Sequence, residues 1–288
     1  MNKSINTKPN TFEQEKSSAI NSSRVSIEIV EQIAMVTLTR ADKHNALDMP
    51  MFYAIDNAIK RLKRDRNIRA IIVSGEGDDF CSGLDIKSVM SSPLNAVKLL
   101  FKLRPWRANL AQRICTEWQQ ISVPVIMVIH GRCWGGGLQI MLGGDFRICL
   151  PNAEFSIMES RWGLIPDMGG SVLLPNLINL DAAKELAMTA KIIDGNKAHQ
   201  LGLVTHVTAE PMKLALALAD DIAMQSPDTI AATKKLYNKS WAGKLTFSLA
   251  RESFYQLKIL FGRNSKIKQY NQTHNSDEQK SFNKRKSW

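Results

Sequence analysis

No apolar run in this 288-residue sequence approaches the ~20 residues that a membrane-spanning helix requires, which excludes a helical integral membrane protein. Cysteine is scarce: Cys81, Cys115, Cys133 and Cys149 form no C-x-x-C pair and have no histidine cluster near them. Neither a metal centre nor a disulfide framework is therefore expected, and the four are read as reduced, mostly buried thiols. Three glycine or serine signatures are also missing. The triplet in WGGGLQ lacks the G-x-G-x-x-G spacing of a dinucleotide turn, and Ala242-Gly243-Lys244-Leu245 fails as a Walker loop. No G-x-S-x-G nucleophile elbow occurs. The opening MNKSINTKPNTFEQEKSS contains no apolar core for a secretory signal, and its two glutamates argue against a transit peptide, so a cytoplasmic product is expected.

What the chain does have is the composition of a folded globular protein, with 44% hydrophobic and 23% charged residues. Its length suits two average domains or one large α/β unit. A chain of this size buries roughly 75% of its extended surface, enough to fold without cross-links. The net charge of +11 is unevenly spread. Residues 263–288 carry seven Lys/Arg against two acids and residues 1–24 carry four against two, which leaves +4 for the body between them. Such a body attracts an anionic small molecule; the basic ends read as solvated tails, and nucleic-acid binding is not expected.

Residues 1–24 lack an apolar pattern and read as a flexible arm. VSIEIV (25–30) and IAMVTLT (33–39) flank Glu31-Gln32 as a β-hairpin, and residues 50–64 show helical spacing with Pro50 near the start and basic residues at the end. IRAIIVSG (68–75) and VPVIMVIHG (123–131) read as short buried strands, separated by a long, basic, mostly helical stretch over 86–120. Strands FRICLP (146–151) and FSI (155–157) follow, then helical stretches near 181–190, 196–201, 211–225, 229–240 and 246–261. This alternation predicts an α/β fold with largely parallel pairing.

Both buried strands run through a glycine-bearing turn toward a helix N-terminus, the first into FCSGLDIKSVM (80–90) and the second through GRCW into GGGLQIMLGGD (135–145). A helix start offers unpaired N–H groups and the positive end of the dipole, and glycine lets a ligand approach the backbone. Two such turns can aim two donors at one oxygen, each donor worth on the order of 3 kcal/mol in a transition state. The competing reading is that Gly83 and Gly135-Gly136-Gly137 serve only tight turns or close packing. The second feature is the acidic pair Glu159 and Asp167 in SIMESRWGLIPDMGG. Ile157, Met158, Trp162, Leu164 and Ile165 can shield Glu159 from water and raise its pKa toward neutrality, the condition for a proton shuttle. The alternative is an exposed loop glutamate and an aspartate capping a helix that begins near Met168. His130 and His44 read as turn residues, and Met127, Cys133, Trp134, Met141, Trp162 and Met168 as core or pocket lining.

RADKHNALD (40–48), FCSGLDI (80–86), HGRCWGGGLQIMLGGDFRI (130–148), FSIMESRWGLIPDMGG (155–170), AKELAMTAKIIDGNKAHQLGLV (183–204) and SPDTIAATKKL (226–236) resemble, in order and spacing, the enoyl-CoA hydratase/isomerase family, the crotonases. The resemblance covers about residues 25–262. It implies a right-handed spiral of ββα units (25–208), a helical C-terminal trimerisation region (209–262), and assembly as a homotrimer or a dimer of trimers, with 1–24 and 263–288 outside as arm and basic tail. It implies an acyl-CoA substrate with no other cofactor. The thioester oxygen would be held by the amides of Leu84 and Gly136, and CoA by Lys43 to Ala46, by Ser82, Gly83, Asp85 and Ile86, and by Gly135 and Met158.

In this family the hydratases use two glutamates. One corresponds to Glu159, but the other corresponds to Gln139, and an amide cannot exchange a proton as a carboxylate does. Asp167 falls where dienoyl-CoA isomerases carry an aspartate, although those enzymes also have an aspartate at the place of Gln139. The resemblance therefore leans to double-bond isomerisation with Glu159 as acid and base. The alternatives are hydration proper, another acyl-CoA reaction with an acyl pocket shaped by residues 90–119 including Arg104, Trp106 and Arg107, and an RNA- or membrane-binding role with vestigial catalysis.

Overall fold

The computed structural model describes residues 20–21, 24–102, 106–241, 245–274 and 278–286. In chain order its strands are Ile20–Asn21 (β1), Val25–Val30 (β2), Ile33–Leu38 (β3), Ala70–Gly75 (β4), Val125–Ile129 (β5), Arg132–Trp134 (β6), Phe146–Cys149 (β7), Glu154–Ser156 (β8) and His206–Val207 (β9). Seven form one sheet in the order β1-β2-β3-β4-β5-β7-β9, antiparallel as far as β3 and parallel beyond it. Glu31 and Gln32 take positive φ at the β2–β3 hairpin, matching the twist of the strands they join. Residues 70–73 of β4 and all of β5 are continuous apolar runs because both faces of these central parallel strands are covered.

One face carries Met49–Arg64 (α1). Asp48 caps it by accepting the Met51 N–H at 2.8 Å, and Met51, Phe52, Ile55, Ile59 and Leu62 recur at helical spacing to form its buried stripe. The stretch 86–120 is broken into Ile86–Val89 (α2), Pro93–Leu100 (α3), Leu110–Thr116 (α4) and a final 3-10 turn; Pro93 sits at the start of α3, where it ends continuity with α2. Gly136–Met141 (α5) lies wholly inside the core. Gly170–Leu173 (α6), Leu180–Thr189 (α7) and Gly195–Gln200 (α8) lead to Pro211–Ala223 (α9), whose Ala215 and Ala219 pack on Ile72, Ile126, Val128 and Ile148 across the opposite face of the sheet. A small parallel pair, β6 with β8, stands beside the main sheet, and the backbone of its Cys133 pairs with that of Cys81. This α/β body is followed by Pro227–Ser240 (α10), Leu245–Leu260 (α11) and Arg263–Thr273 (α12). No helix among the described residues is long and apolar enough to cross a membrane.

Two expectations are corrected here. Residues 263–288 were expected to be a solvated tail, but α12 and the segment 278–286 fold back onto the body. Asp228 accepts from Asn264 Nδ2 at 2.9 Å and from the Lys286 N–H at 2.7 Å. Arg285 is buried, donating to the Asp65 carbonyl while its own carbonyl accepts from Arg66. The charge pattern concealed this because the cations Arg285 and Lys268 bond backbone carbonyls, of Asp65 and Met224, while the buried carboxylate of Asp228 is met by an amide side chain and a backbone N–H. Nor does Asp167 cap a helix starting near Met168: α6 begins at Gly170 with Gly169 as its cap. Of the expected arm, residues 1–19 and 22–23 lie outside the described residues, and β1 pairs with β2.

Candidate active site

The two glycine turns meet. The backbones of Cys81 and Cys133 pair in a parallel β-bridge, their thiols free, so the chain segments that follow them leave side by side. Beyond Cys81, the Leu47 N–H donates to the Gly83 carbonyl at 2.8 Å and the Asp85 N–H to the Leu47 carbonyl at 3.1 Å, a pairing that skips the amide of Leu84. Beyond Cys133, the Gly135 N–H donates to Ser156 O at 2.9 Å, and Gly136 is the first residue of α5. Among the described residues, neither the Leu84 nor the Gly136 amide donates a hydrogen bond. Gly83 has φ +94°, and a Cβ there would lie 2.7 Å from the Trp134 carbonyl oxygen and 3.4 Å from the Gly136 nitrogen. Glycine is required at 83 for both reasons, and its absent side chain is what lets the two turns touch.

Both turns open on a cavity of about 430 Å³ that is also lined by Glu159, Asp167, Trp162 and Met168. Glu159 sits in the 3-10 turn Met158–Trp162 that follows β8. A Cβ on Gly135 would come 3.7 Å from its Oε1. Gln139, on α5, is fully buried behind the carboxylate: Nε2 donates to Glu159 Oε1 at 2.5 Å, and Oε1 accepts the Gly170 N–H at 2.9 Å. The amide is thereby oriented at both ends, and Glu159 Oε2 is left buried with no hydrogen-bond partner. Burial raises the Glu159 pKa above the usual carboxylate value, opposed by its own backbone N–H and by Gln139, and reinforced by the charge of Asp167. Asp167 itself is exposed at the cavity rim.

A groove of about 650 Å³ adjoins this cavity and shares Leu84, Ile86 and Trp162 with it; Lys43, His44, Ala46, Asp85 and Lys87 line the rest. Asp85 is fixed in place, capping α2 through Ser88 N and bonded to Arg40 at 2.8 Å, which holds its pKa below the ordinary range despite burial.

Residues 28–272 match the family described as Enoyl-CoA hydratase/isomerase. The chain belongs to that family. A Dictyostelium discoideum relative, the mitochondrial Delta(3,5)-Delta(2,4)-dienoyl-CoA isomerase, is 31% identical over 222 residues, covering 72% of this chain and 73% of the relative. The mitochondrial methylglutaconyl-CoA hydratase of Mus musculus is 29% identical over 227 residues, covering 76% of this chain and 70% of the relative. The crystal structure of an enoyl-CoA hydratase from Thermoplasma volcanium GSS1 superposes with TM-score 0.78 at 26% identity, over 88% of this chain and 98% of that one. This member of the enoyl-CoA hydratase/isomerase family is thus an acyl-CoA enzyme, with isomerases and hydratases alike among its relatives.

In this family member the cavity gathers Ser82, Gly83, Leu84, Ile86, Gly135, Gly136, Met158, Glu159 and Asp167, and the groove gathers Lys43, Ala46 and Asp85. Gln139 is the exception: it does not line the cavity and acts on it only through Glu159. Of the sulfur and aromatic residues, Met127, Cys133 and Met141 are core, whereas Trp134, Trp162 and Met168 line the cavity. His130 bonds the Gly77 carbonyl at 2.9 Å and His44 bonds Asp79 at 2.7 Å, both as turn residues. Arg104 lies outside the described residues. Sequence reasoning missed Leu47 and Gly170, whose hydrogen bonds at the site come from the backbone alone and so carry no side-chain signal.

Proposed function

We propose that this enzyme isomerises the double bond of an enoyl-CoA through a thioester enolate. The enolate oxygen sits between the amides of Leu84 and Gly136, and Glu159 removes a proton from C2 and returns it at C4. The reading is carried by one observation: Glu159 is a shielded carboxylate with an unpaired buried oxygen beside two undonated amides, and the neighbouring position 139 supplies an amide already bonded at both ends. A water for hydration would need a second acid–base group, and the Gln139 amide offers neither a proton to exchange nor a free end facing the cavity. Asp167 raises the basicity of Glu159 from the rim. Lys43 and the backbone of Ser82 to Ile86 take the CoA, whose phosphates favour a basic body.

The test is to incubate the purified protein with 2-enoyl-, 3-enoyl- and 3,5-dienoyl-CoA and identify products by mass and ultraviolet absorbance. A mass-neutral shift of the double bond supports isomerisation; addition of 18 mass units, one water, as the main outcome supports hydration instead. The assembly we propose is a homotrimer, since Phe247, Phe254, Leu257 and Phe261 of α11 and its end stand more than half exposed in the single chain. Light scattering on the purified protein tests it, a monomer being the contrary result.

A further inference from the structure

We infer that the acyl group taken by this enzyme ends in an anion, a carboxylate received by Lys102 and Arg107. The inference rests on the acyl-CoA reading and names the substrate class within it. Two depressions of about 620 and 270 Å³ share Lys102, Trp106, Arg107 and Ala108 and together make one trough. Its inner part reaches Thr116 and Gly169, and Asp167 and Met168, just before Gly169, line the catalytic cavity. Gln112, on the trough wall, donates to the Asp167 carbonyl at 3.3 Å, so one turn separates the two spaces. An acyl chain leaving the cavity past Asp167 enters this trough.

The charges of the trough are not balanced within the protein. Arg113 is paired with Asp56, with contacts of 2.9 and 3.0 Å, a carboxylate that Lys60 also contacts at 2.6 Å, and Glu117, the one acid among the described wall residues, accepts from Lys63 at 3.0 Å. Lys102 and Arg107 have no acidic partner among the described residues. No Asp or Glu occurs from residue 86 to residue 116. A neutral hydrocarbon tail is best served by an apolar end wall, whereas two unpaired cations beside an indole suit a tail that is apolar along its length and anionic at its tip.

Calorimetric binding of saturated thioesters tests this without requiring turnover. The pairs are succinyl- against butyryl-CoA, adipoyl- against hexanoyl-CoA, and suberoyl- against octanoyl-CoA, each on the whole 288-residue chain. The expected result is that at one chain length at least the carboxylated member binds about tenfold more tightly. That preference should vanish in Lys102→Gln/Arg107→Gln, while the neutral member keeps its affinity within about twofold. Equal or weaker binding of the carboxylated member at every length, or a preference that survives in the double variant, overturns the inference. Failure of every thioester and of free CoA to bind would overturn the acyl-CoA reading as well.

Discussion

Gln139 and Glu159 act as one unit: the amide of the first holds Oε1 of the second at 2.5 Å while its other end is fixed by the Gly170 N–H, and Oε2 is left buried and unbonded. A carboxylate held by one oxygen and bare at the other is positioned to take a proton. The donor is what makes Gln139 useful, and a glutamate in its place would present an acceptor to an acceptor.

Gln139→Glu should therefore move the acid limb of the kcat/KM pH profile upward, because two carboxylates in contact resist joint ionisation. The profile is measured with 3-enoyl-CoA across pH 4 to 9. An unmoved limb would mean that the two side chains do not meet in the working enzyme.

Asp167→Asn should move the same limb the other way. The aspartate charge adds to burial in raising the Glu159 pKa, so its removal lowers the pH at which the base becomes available. The shift is smaller than that produced by burial, the first cause.

Glu159 also carries a stability signature. Its folded pKa is raised above the unfolded value of about 4.3, so the stability linked to its proton is complete below that pH and is lost as pH rises through the folded value. Glu159→Gln keeps the neutral form throughout. The thermal midpoint of the variant relative to wild type should therefore increase between pH 4 and pH 8.

Gly83→Ala should lower kcat about 10²-fold, since the new Cβ meets the Trp134 carbonyl and the backbone at φ +94° disfavours any side chain. Circular dichroism separates displacement of the Leu84 and Gly136 amides from loss of the fold. A variant with native spectrum and native kcat would remove the two-turn geometry from the account.

The glycine turns, the central strands and Glu159 were legible in the sequence because each depends on a local signal: a run of β-branched residues, a glycine before a helix, a carboxylate among apolar neighbours. The clamp from Gln139 was not, since the spacing of 20 residues to Glu159 says nothing of which way an amide points or that Gly170 anchors it. The C-terminal strap failed for a related reason. Its partners, Asp65, Arg66 and Asp228, lie 36 to 220 positions away, and polar composition alone suggested solvent.

Asp228→Ala should accordingly destabilise the fold by about 3 kcal/mol, by leaving the Lys286 N–H and the Asn264 amide without their acceptor, the buried Arg69 without the carboxylate that offsets its burial, and the buried Arg285 with Asp65 alone. Urea denaturation reads this directly. A solvated tail would give no change.

The most direct trial of the central claim is the rate at which Glu159→Gln converts 3-enoyl-CoA to 2-enoyl-CoA, with CoA affinity measured on the same preparation. The account predicts that turnover falls by about 10³-fold or more while affinity stays within about tenfold of wild type, because the carboxylate works in the chemical step and not in holding the ground state. Turnover equal to wild type would contradict it.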